Sequence, residues 1–465
     1  MCPDNFDMQI SRHYLTINGR KVHYRKAGSG PPLLMVHQSP RSSSEYEPLM
    51  RDWAEHFTCI APDIPGFGQS DPLPLDNPEI DDFADAIVEF AGAVGIDSIL
   101  GYGFHSGGII LVTAMKLHMA KFAGLAIGGY AIWNEEERAK LGPAYIPPNP
   151  PKAYGEHLVW LWNRILEQSW FFPWYEQNAA NRMSVAHDDV AKVDLVIQDM
   201  LNSGDAYRLG YGAVLRGRRD IPPPDAVTPP VLITAYDGDP LKAHLERLGE
   251  MPKGWKAYGV DTPKEHQDVS LAFLLQLSAS PDAVIVEDTN QGFLHITAAG
   301  FDGLIHWRGN RGAESLIAHA PGQEMGDHLP DSWVMIDMPG HGLSDNWQGD
   351  IPTDKTAWDC VVEAARQKLG AGQILYRLLP EGDPDRLFPD LTPDRHGNYL
   401  TTAWSIIRAG QFFRPWYEAD AAHAAAFEEH MITPQALAKE HRALLRARAA
   451  REMMVAYSTN NKGEN

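Results

Sequence analysis

Residues 101–108 read Gly101-Tyr102-Gly103-Phe104-His105-Ser106-Gly107-Gly108, following a short apolar run and leading into a stretch of helical length. A turn of the G-x-S-x-G type needs small residues two positions either side of its apex. They let a strand reverse sharply into a helix that holds the apical side chain exposed in a strained conformation. Centring the pattern on Ser106 would put Phe104 at the minus-two position, where a Cβ and a ring crowd a turn that glycine permits. The spacing therefore predicts an imidazole, that of His105, at an apex where a serine is the usual occupant.

The surroundings suit such a turn. Apolar runs bounded by Gly, Pro and Asp recur at Leu33–Val36, Cys59–Ala61, Ser98–Gly101, Gly124–Ile127, Val231–Ala235 and Trp255–Val260, with helical stretches such as Asp81–Val94 and Gly107–Ala120 between them. Short buried runs alternating with helices predict an α/β class with an open, mostly parallel sheet. From about residue 132 to 227 the pattern changes to aromatic helices rich in Trp and Pro, which reads as a helical lid inserted over the strand ends.

Beyond residue 280 the chain repeats itself in part. Asp63-Ile64-Pro65-Gly66-Phe67-Gly68-Gln69-Ser70-Asp71 is echoed by Asp337-Met338-Pro339-Gly340-His341-Gly342-Leu343-Ser344-Asp345 at an offset of 274. Pro151, Gly155, Leu158, Trp162, Phe171, Pro173, Trp174, Tyr175 and Glu176 recur as Pro393, Gly397, Leu400, Trp404, Phe413, Pro415, Trp416, Tyr417 and Glu418 at a constant offset of 242. The 32 residues lost between these landmarks correspond to the tight turn and the helix after it. Internal repetition of this kind predicts tandem duplication followed by decay: a first domain over 1–280, and a truncated, degenerate second copy over 281–465 that packs its lid-like helices on the first and lacks the first copy's site.

A net charge of −21 repels phosphate backbones and anionic membrane surfaces, so nucleic acid and membranes are not expected partners. No apolar run approaches the roughly 18 residues that span a bilayer, and Met1–Asp7 has neither a basic nor an apolar leader region. A cytoplasmic protein is expected. Cys2, Cys59 and Cys360 lack metal-ligand or redox spacing and read as reduced thiols. His105, His118 and His157 fall in different elements, and no phosphate-cradling or dinucleotide-binding glycine pattern occurs, so neither metal nor cofactor is expected.

Four features carry chemistry in chain order: His37-Gln38-Ser39-Pro40 after a strand, Asp63 to Asp71, the turn at Gly103–Gly107, and Asp237-Gly238-Asp239-Pro240 followed by His266. In this order and with these motifs the chain resembles the α/β-hydrolase superfamily, within the lidded group of epoxide hydrolases, haloalkane dehalogenases and carbon–carbon hydrolases. The resemblance covers residues 10–280 well and 290–455 in part. It implies an α/β-hydrolase fold with a helical lid. It also implies a catalytic group of His105, Asp239 and His266, and an oxyanion hole formed by the backbone amides of Gln38 and Ser106. Glutamine stands at position 38 where the group carries glycine. Asp237 rivals Asp239, and either aspartate also suits a helix cap near Leu241.

Imidazole at the apex changes the chemistry. Neutral His105 can attack a carbonyl to give a labile acyl-imidazole, or act as general base on water; it can also plug a site that only binds ligand. If Asp239 favours charge on His266, His105 stays neutral and basic. The expected reaction is hydrolysis of a small apolar or aromatic ester, lactone or related carbonyl compound. The alternatives are a cofactor-free lyase or oxygenase, or a non-catalytic ligand-binding protein. His37, Trp133, Trp162 and Trp174 are expected to contact the substrate, although His37 also suits shaping its loop and lid tryptophans also suit packing.

Overall fold

The computed structural model of the chain describes residues 9–218, 220–277, 285–326 and 329–458. It divides into two compact units, Met1–Asn149 with Asn163–Glu287 and Pro150–Trp162 with Asp288–Asn465. The border expected at 280/281 lies outside the described residues, as does Cys2. Pro150–Trp162, expected in the first domain's insertion, groups with the second unit instead.

The first unit opens with β1 (Ser11–Ile17) and β2 (Arg20–Ala27), an antiparallel hairpin. Its strands carry too many polar residues to form an apolar run, but the turn signal is present: Asn18 and Gly19 both adopt positive φ, as a two-residue hairpin loop requires. β3 (Pro32–Val36) and β4 (Thr58–Pro62) are buried at every position, as strands covered on both faces are. β5 (Ile99–Phe104), β6 (Phe122–Gly128), β7 (Val231–Tyr236) and β8 (Trp255–Val260) complete the sheet. The order is β1-β2-β4-β3-β5-β6-β7-β8, with β2 antiparallel to its neighbours and the other pairs parallel. This is the α/β-hydrolase fold implied by the motifs.

Helices α1 (Glu47–Trp53), α2 (Ile80–Ala93) and α3 (Ser106–Leu117) connect the first strands. Between β6 and β7 come α4 (Glu135–Tyr145), α5 (Glu156–Gln168), α6 (Val190–Ser203) and α7 (Tyr207–Arg216). After β8, α8 (Pro263–Leu274) begins with Thr262 capping the Glu265 amide and Pro263 in the first turn, a start that favours helix. His266 thus lies inside the helix. α8 packs on β6 and β7.

The second unit holds β9 (Gln291–Ala298), β10 (Phe301–Gly309), β11 (Ser315–Ala318), β12 (Trp333–Ile336) and β13 (Gln373–Tyr376) in the order β13-β11-β12-β10-β9. Helix α9 (Lys355–Leu369) buries Trp358, Val361 and Val362 in its core. No tight strand-to-helix turn follows β13; the chain runs through a loop to the short helix α10 (Pro384–Leu387).

The two units share a hydrogen-bond pattern around an aspartate. In the first, Asp63 accepts from His23, the Ser43 amide and the Gln69 amide, and His37 Nε2 accepts from the Ile64 amide. In the second, Asp337 accepts from His306, the Met325 amide and the Leu343 amide, and His319 Nε2 accepts from the Met338 amide.

A reciprocal contact lies within the second unit. Trp162 Nε1 donates to Arg395 O at 3.2 Å and Trp404 Nε1 donates to Ala153 O at 3.3 Å. A Cβ on Gly397 would strike the Trp162 ring at 2.5 Å, and one on Gly155 the Trp404 ring at 2.9 Å. Tyr399 lies edge-on to Trp162, and His157 edge-on to Trp404. Every residue on one side is 242 positions from its counterpart on the other. This packing explains why Pro150–Trp162 groups as it does.

Candidate active site

The turn is centred on His105, whose φ of 45° and ψ of −115° lie in the strained region expected of an apex. A Cβ on Gly107 would sit 1.9 Å from Val36 O, and one on Gly103 2.7 Å from the Gly108 amide nitrogen. Only glycine fits both positions. Ser106 is the first residue of α3 and is buried; its Oγ accepts from the Ser39 amide at 2.6 Å and donates to Ser39 Oγ at 3.1 Å. It serves as a brace between the turn and the loop after β3.

His105 Nε2 lies 3.1 and 3.2 Å from the two carboxylate oxygens of Asp239, which follows β7. Asp239 also accepts from the Leu241 amide at 2.8 Å. Burial alone would raise the Asp239 carboxyl; the charge and hydrogen bond of His105, together with the Leu241 amide, outweigh it and hold the group below the ordinary carboxylate value. An ionised carboxylate only accepts, so a proton sits on Nε2, and in the neutral form of the ring Nδ1 is the lone pair, on a side chain that lines a cavity. Asp237 pairs instead with Lys242 at the surface.

His266 is not the partner that Asp239 steers. Its Nε2 meets the Tyr102 hydroxyl at 2.9 Å and its Nδ1 the Thr234 hydroxyl at 2.6 Å. Phe104 explains the displacement: its ring stacks on His105 at 4.1 Å and lies 5.6 Å from His266. Burial lowers the His266 pKa to about 4, Asp239 working against that and His105 with it. His266 is a neutral, doubly hydrogen-bonded core residue.

The expected oxyanion hole is also altered. The Gln38 amide donates to Glu45 Oε1 at 2.8 Å and its side chain to Oε2 at 3.2 Å, so that donor is already engaged. Burial raises the Glu45 carboxyl to about 7 despite Arg41 and the Gln38 contacts. The Ser106 amide, at the first helical position, has no partner inside the helix.

The cavity at His105 has a volume of about 210 Å³. Its aromatic walls are Phe104, Trp133, Tyr145, Phe172, Tyr211 and Tyr236, and its polar groups include Gln38, Ser39 and Gln168. Trp133 thus lies on the wall of this cavity. Trp162 is packed in the second unit. Trp174 is buried with Nε1 donating to Tyr145 O at 3.0 Å. His37 is fully buried, donating from Nδ1 to Gln38 O at 2.9 Å and accepting at Nε2 from the Ile64 amide at 2.9 Å. These three hold loops and helices in place and do not line the cavity.

Sequence reasoning passed over Tyr145 and Tyr211, whose hydroxyls are hydrogen-bonded together and whose ionisation burial suppresses. Their place in the aromatic insertion is the signal that the sequence carries for them. Glu45 and Gln168 had no distinguishing signal. Among the described residues no three His, Cys, Asp or Glu side chains are grouped to hold a metal, and no helix is long and apolar enough to cross a membrane.

Residues 31–183 match the family described as alpha/beta hydrolase fold. The chain is 31% identical over 144 residues to haloalkane dehalogenase 2 of Mycobacterium tuberculosis, covering 31% of this chain and 50% of that protein. It is 35% identical over 102 residues to a soluble epoxide hydrolase of Corynebacterium sp., covering 22% and 35%. It is 41% identical over 64 residues to a cis-3-alkyl-4-alkyloxetan-2-one decarboxylase of Shewanella oneidensis, covering 14% and 20%. The chain thus spans half or less of the length of these curated relatives.

Proposed function

We propose that this chain, whose residues 31–183 match the alpha/beta hydrolase fold family and whose first sheet has that fold's strand order, hydrolyses a small, uncharged aromatic or apolar ester or lactone. The observation that carries this reading is the Asp239–His105 pair at the apex of the turn, on the wall of a largely apolar cavity. Asp239 fixes the proton on Nε2, and Nδ1 acts as general base on water or as nucleophile. The expected His-Asp-His group becomes a dyad in which His266 only supports the site.

The nucleophile decides among the reactions named for the relatives. Imidazole attacking a saturated carbon forms an alkylimidazolium, which has no carbonyl for water to attack, so displacement of halide would end in a dead adduct. An acyl group on imidazole is readily hydrolysed. The decarboxylase relative is named for a four-membered lactone, a substrate class consistent with attack at a carbonyl. A second reading, epoxide opening by water activated at His105, is favoured by the Tyr145–Tyr211 phenols, which can protonate a departing alkoxide. The helical insertion acts as a lid in either reaction, and we read the second unit as a degenerate copy of the first without catalytic residues.

The test is hydrolysis of phenyl acetate, aromatic lactones, styrene oxide and 1-chlorobutane by wild type, His105→Ala and Ser106→Ala, with intact-mass analysis. Turnover of esters or lactones should vanish in His105→Ala and persist in Ser106→Ala, and 1-chlorobutane should at most leave a stable adduct. Loss confined to Ser106→Ala, or catalytic dehalogenation, sinks the reading.

A further inference from the structure

Gln168 ends α5 and lines the cavity. Behind it lies Arg164, only 2% exposed, whose guanidinium sits 5.2 Å over the Trp174 ring. Arg164 Nη1 donates to Gln168 Oε1 at 3.0 Å and to Met200 Sδ at 3.7 Å. A guanidinium has donors and no acceptor, so this contact fixes which end of the amide is oxygen. Gln168 Nε2 is the end left over, and among the described residues it has no protein partner. A hydrogen bond from a cation to the amide oxygen also polarises the amide and strengthens its N–H groups as donors. Among the described residues no Asp, Glu, Lys or Arg side chain lines the cavity, which disfavours a charged ligand, since nothing there pairs with the charge.

We infer that Gln168, held in orientation by Arg164, is the donor that selects the ligand of this cavity: an uncharged aromatic compound carrying an acceptor oxygen, such as a ketone, ether or ester carbonyl. The inference rests on the reading of the cavity as a substrate site and adds to it a specificity residue on the helical insertion. Arg164 is a positioning residue here. It acts only through the Gln168 amide.

The test is a binding measurement and so does not depend on turnover. Acetophenone and cumene have nearly the same shape but differ in the acceptor oxygen, and their dissociation constants are measured by calorimetry for wild type, Gln168→Leu and Arg164→Met. In Gln168→Leu, acetophenone should weaken about three- to tenfold relative to cumene, the loss of one hydrogen bond. Arg164→Met should reproduce most of that change while still binding cumene. If Arg164→Met does not fold, Gln168→Leu decides alone. An unchanged acetophenone-to-cumene ratio in Gln168→Leu overturns the role of Gln168, and a wild-type ratio in Arg164→Met overturns the positioning role. Binding of neither probe by wild type overturns this inference and the cavity reading together. Selective acetophenone binding by a protein that hydrolyses nothing leaves this inference standing and removes the hydrolytic one.

Discussion

Replacing Asp239 by asparagine tests the dyad most directly. The carboxylate accepts from both His105 Nε2 and the Leu241 amide. In Asp239→Asn the new side chain would keep its oxygen on the Leu241 amide and turn its NH2 toward His105, where an Nε2 proton would face an N–H donor. The imidazole relieves that conflict by moving its proton to Nδ1, which converts the free lone pair into a donor and removes the base. Holding the wrong tautomer costs about 10⁴ in kcat in the serine protease template, and general-base catalysis supplies about 10²–10⁴; a fall of about 10²–10⁴ in kcat with KM little changed is therefore expected. Ester or lactone turnover reads the rate, and ¹⁵N NMR of the imidazole reads the proton position directly. Activity within threefold of wild type, or a proton that remains on Nε2, would refute this account of how His105 is activated. The Asp239 carboxyl is also held below its ordinary value. Its stabilising contribution is thus full above the ordinary carboxylate pKa and disappears as pH falls through the lower folded value, so the variant should lose stability at neutral pH but converge with wild type in strong acid.

Three further outcomes are expected. Burial holds His266 and His244 at about 4, below the unfolded value near 6.5, so the unfolded chain takes up protons first and stability declines as pH falls from about 6.5 to 4; His266 contributes roughly 3 kcal/mol of that decline, and His266→Gln should flatten the melting temperature against pH, an unchanged slope counting against the buried neutral ring. Gly107→Ala forces a Cβ against Val36 O and should destabilise by more than about 4 kcal/mol, visible in thermal unfolding; a near-wild-type melting temperature would mean that the turn is not as drawn. Trp133→Ala should raise KM because the ring lines the cavity, whereas Trp162→Ala should instead lower stability by about 3–5 kcal/mol, as loss of a fully buried tryptophan does; steady-state kinetics beside chemical denaturation separate the two.

The fold was legible because buried parallel strands leave apolar runs and the turn leaves fixed glycines at positions 103 and 107. The register on His105 followed from sterics alone, whereas chain order reached only the loop after the strand and left Asp237 and Asp239 as rivals. The partner assignment did not follow. Chain order places His266 after the last strand, but whether it reaches the apex depends on what fills the space between, and there the Phe104 ring intervenes while Tyr102 and Thr234 occupy both imidazole nitrogens. The engagement of the Gln38 amide by Glu45 was equally hidden, since a side chain seven residues on leaves no periodic trace. Among the aromatic residues of the insertion, sequence cannot tell packing from lining; Trp133 lines and Trp174 packs because of the direction each helix or loop takes.

The mirrored pair of indoles, Trp162 over Gly397 and Trp404 over Gly155, has the form of an isologous contact made within one polypeptide. In a true homodimer every substitution at such a surface acts twice, because both subunits change together. Here each half is encoded separately, so a change at Gly155 need not be matched at Gly397, and dilution cannot part the two sides. Symmetry that a dimer must keep is, in this chain, free to drift.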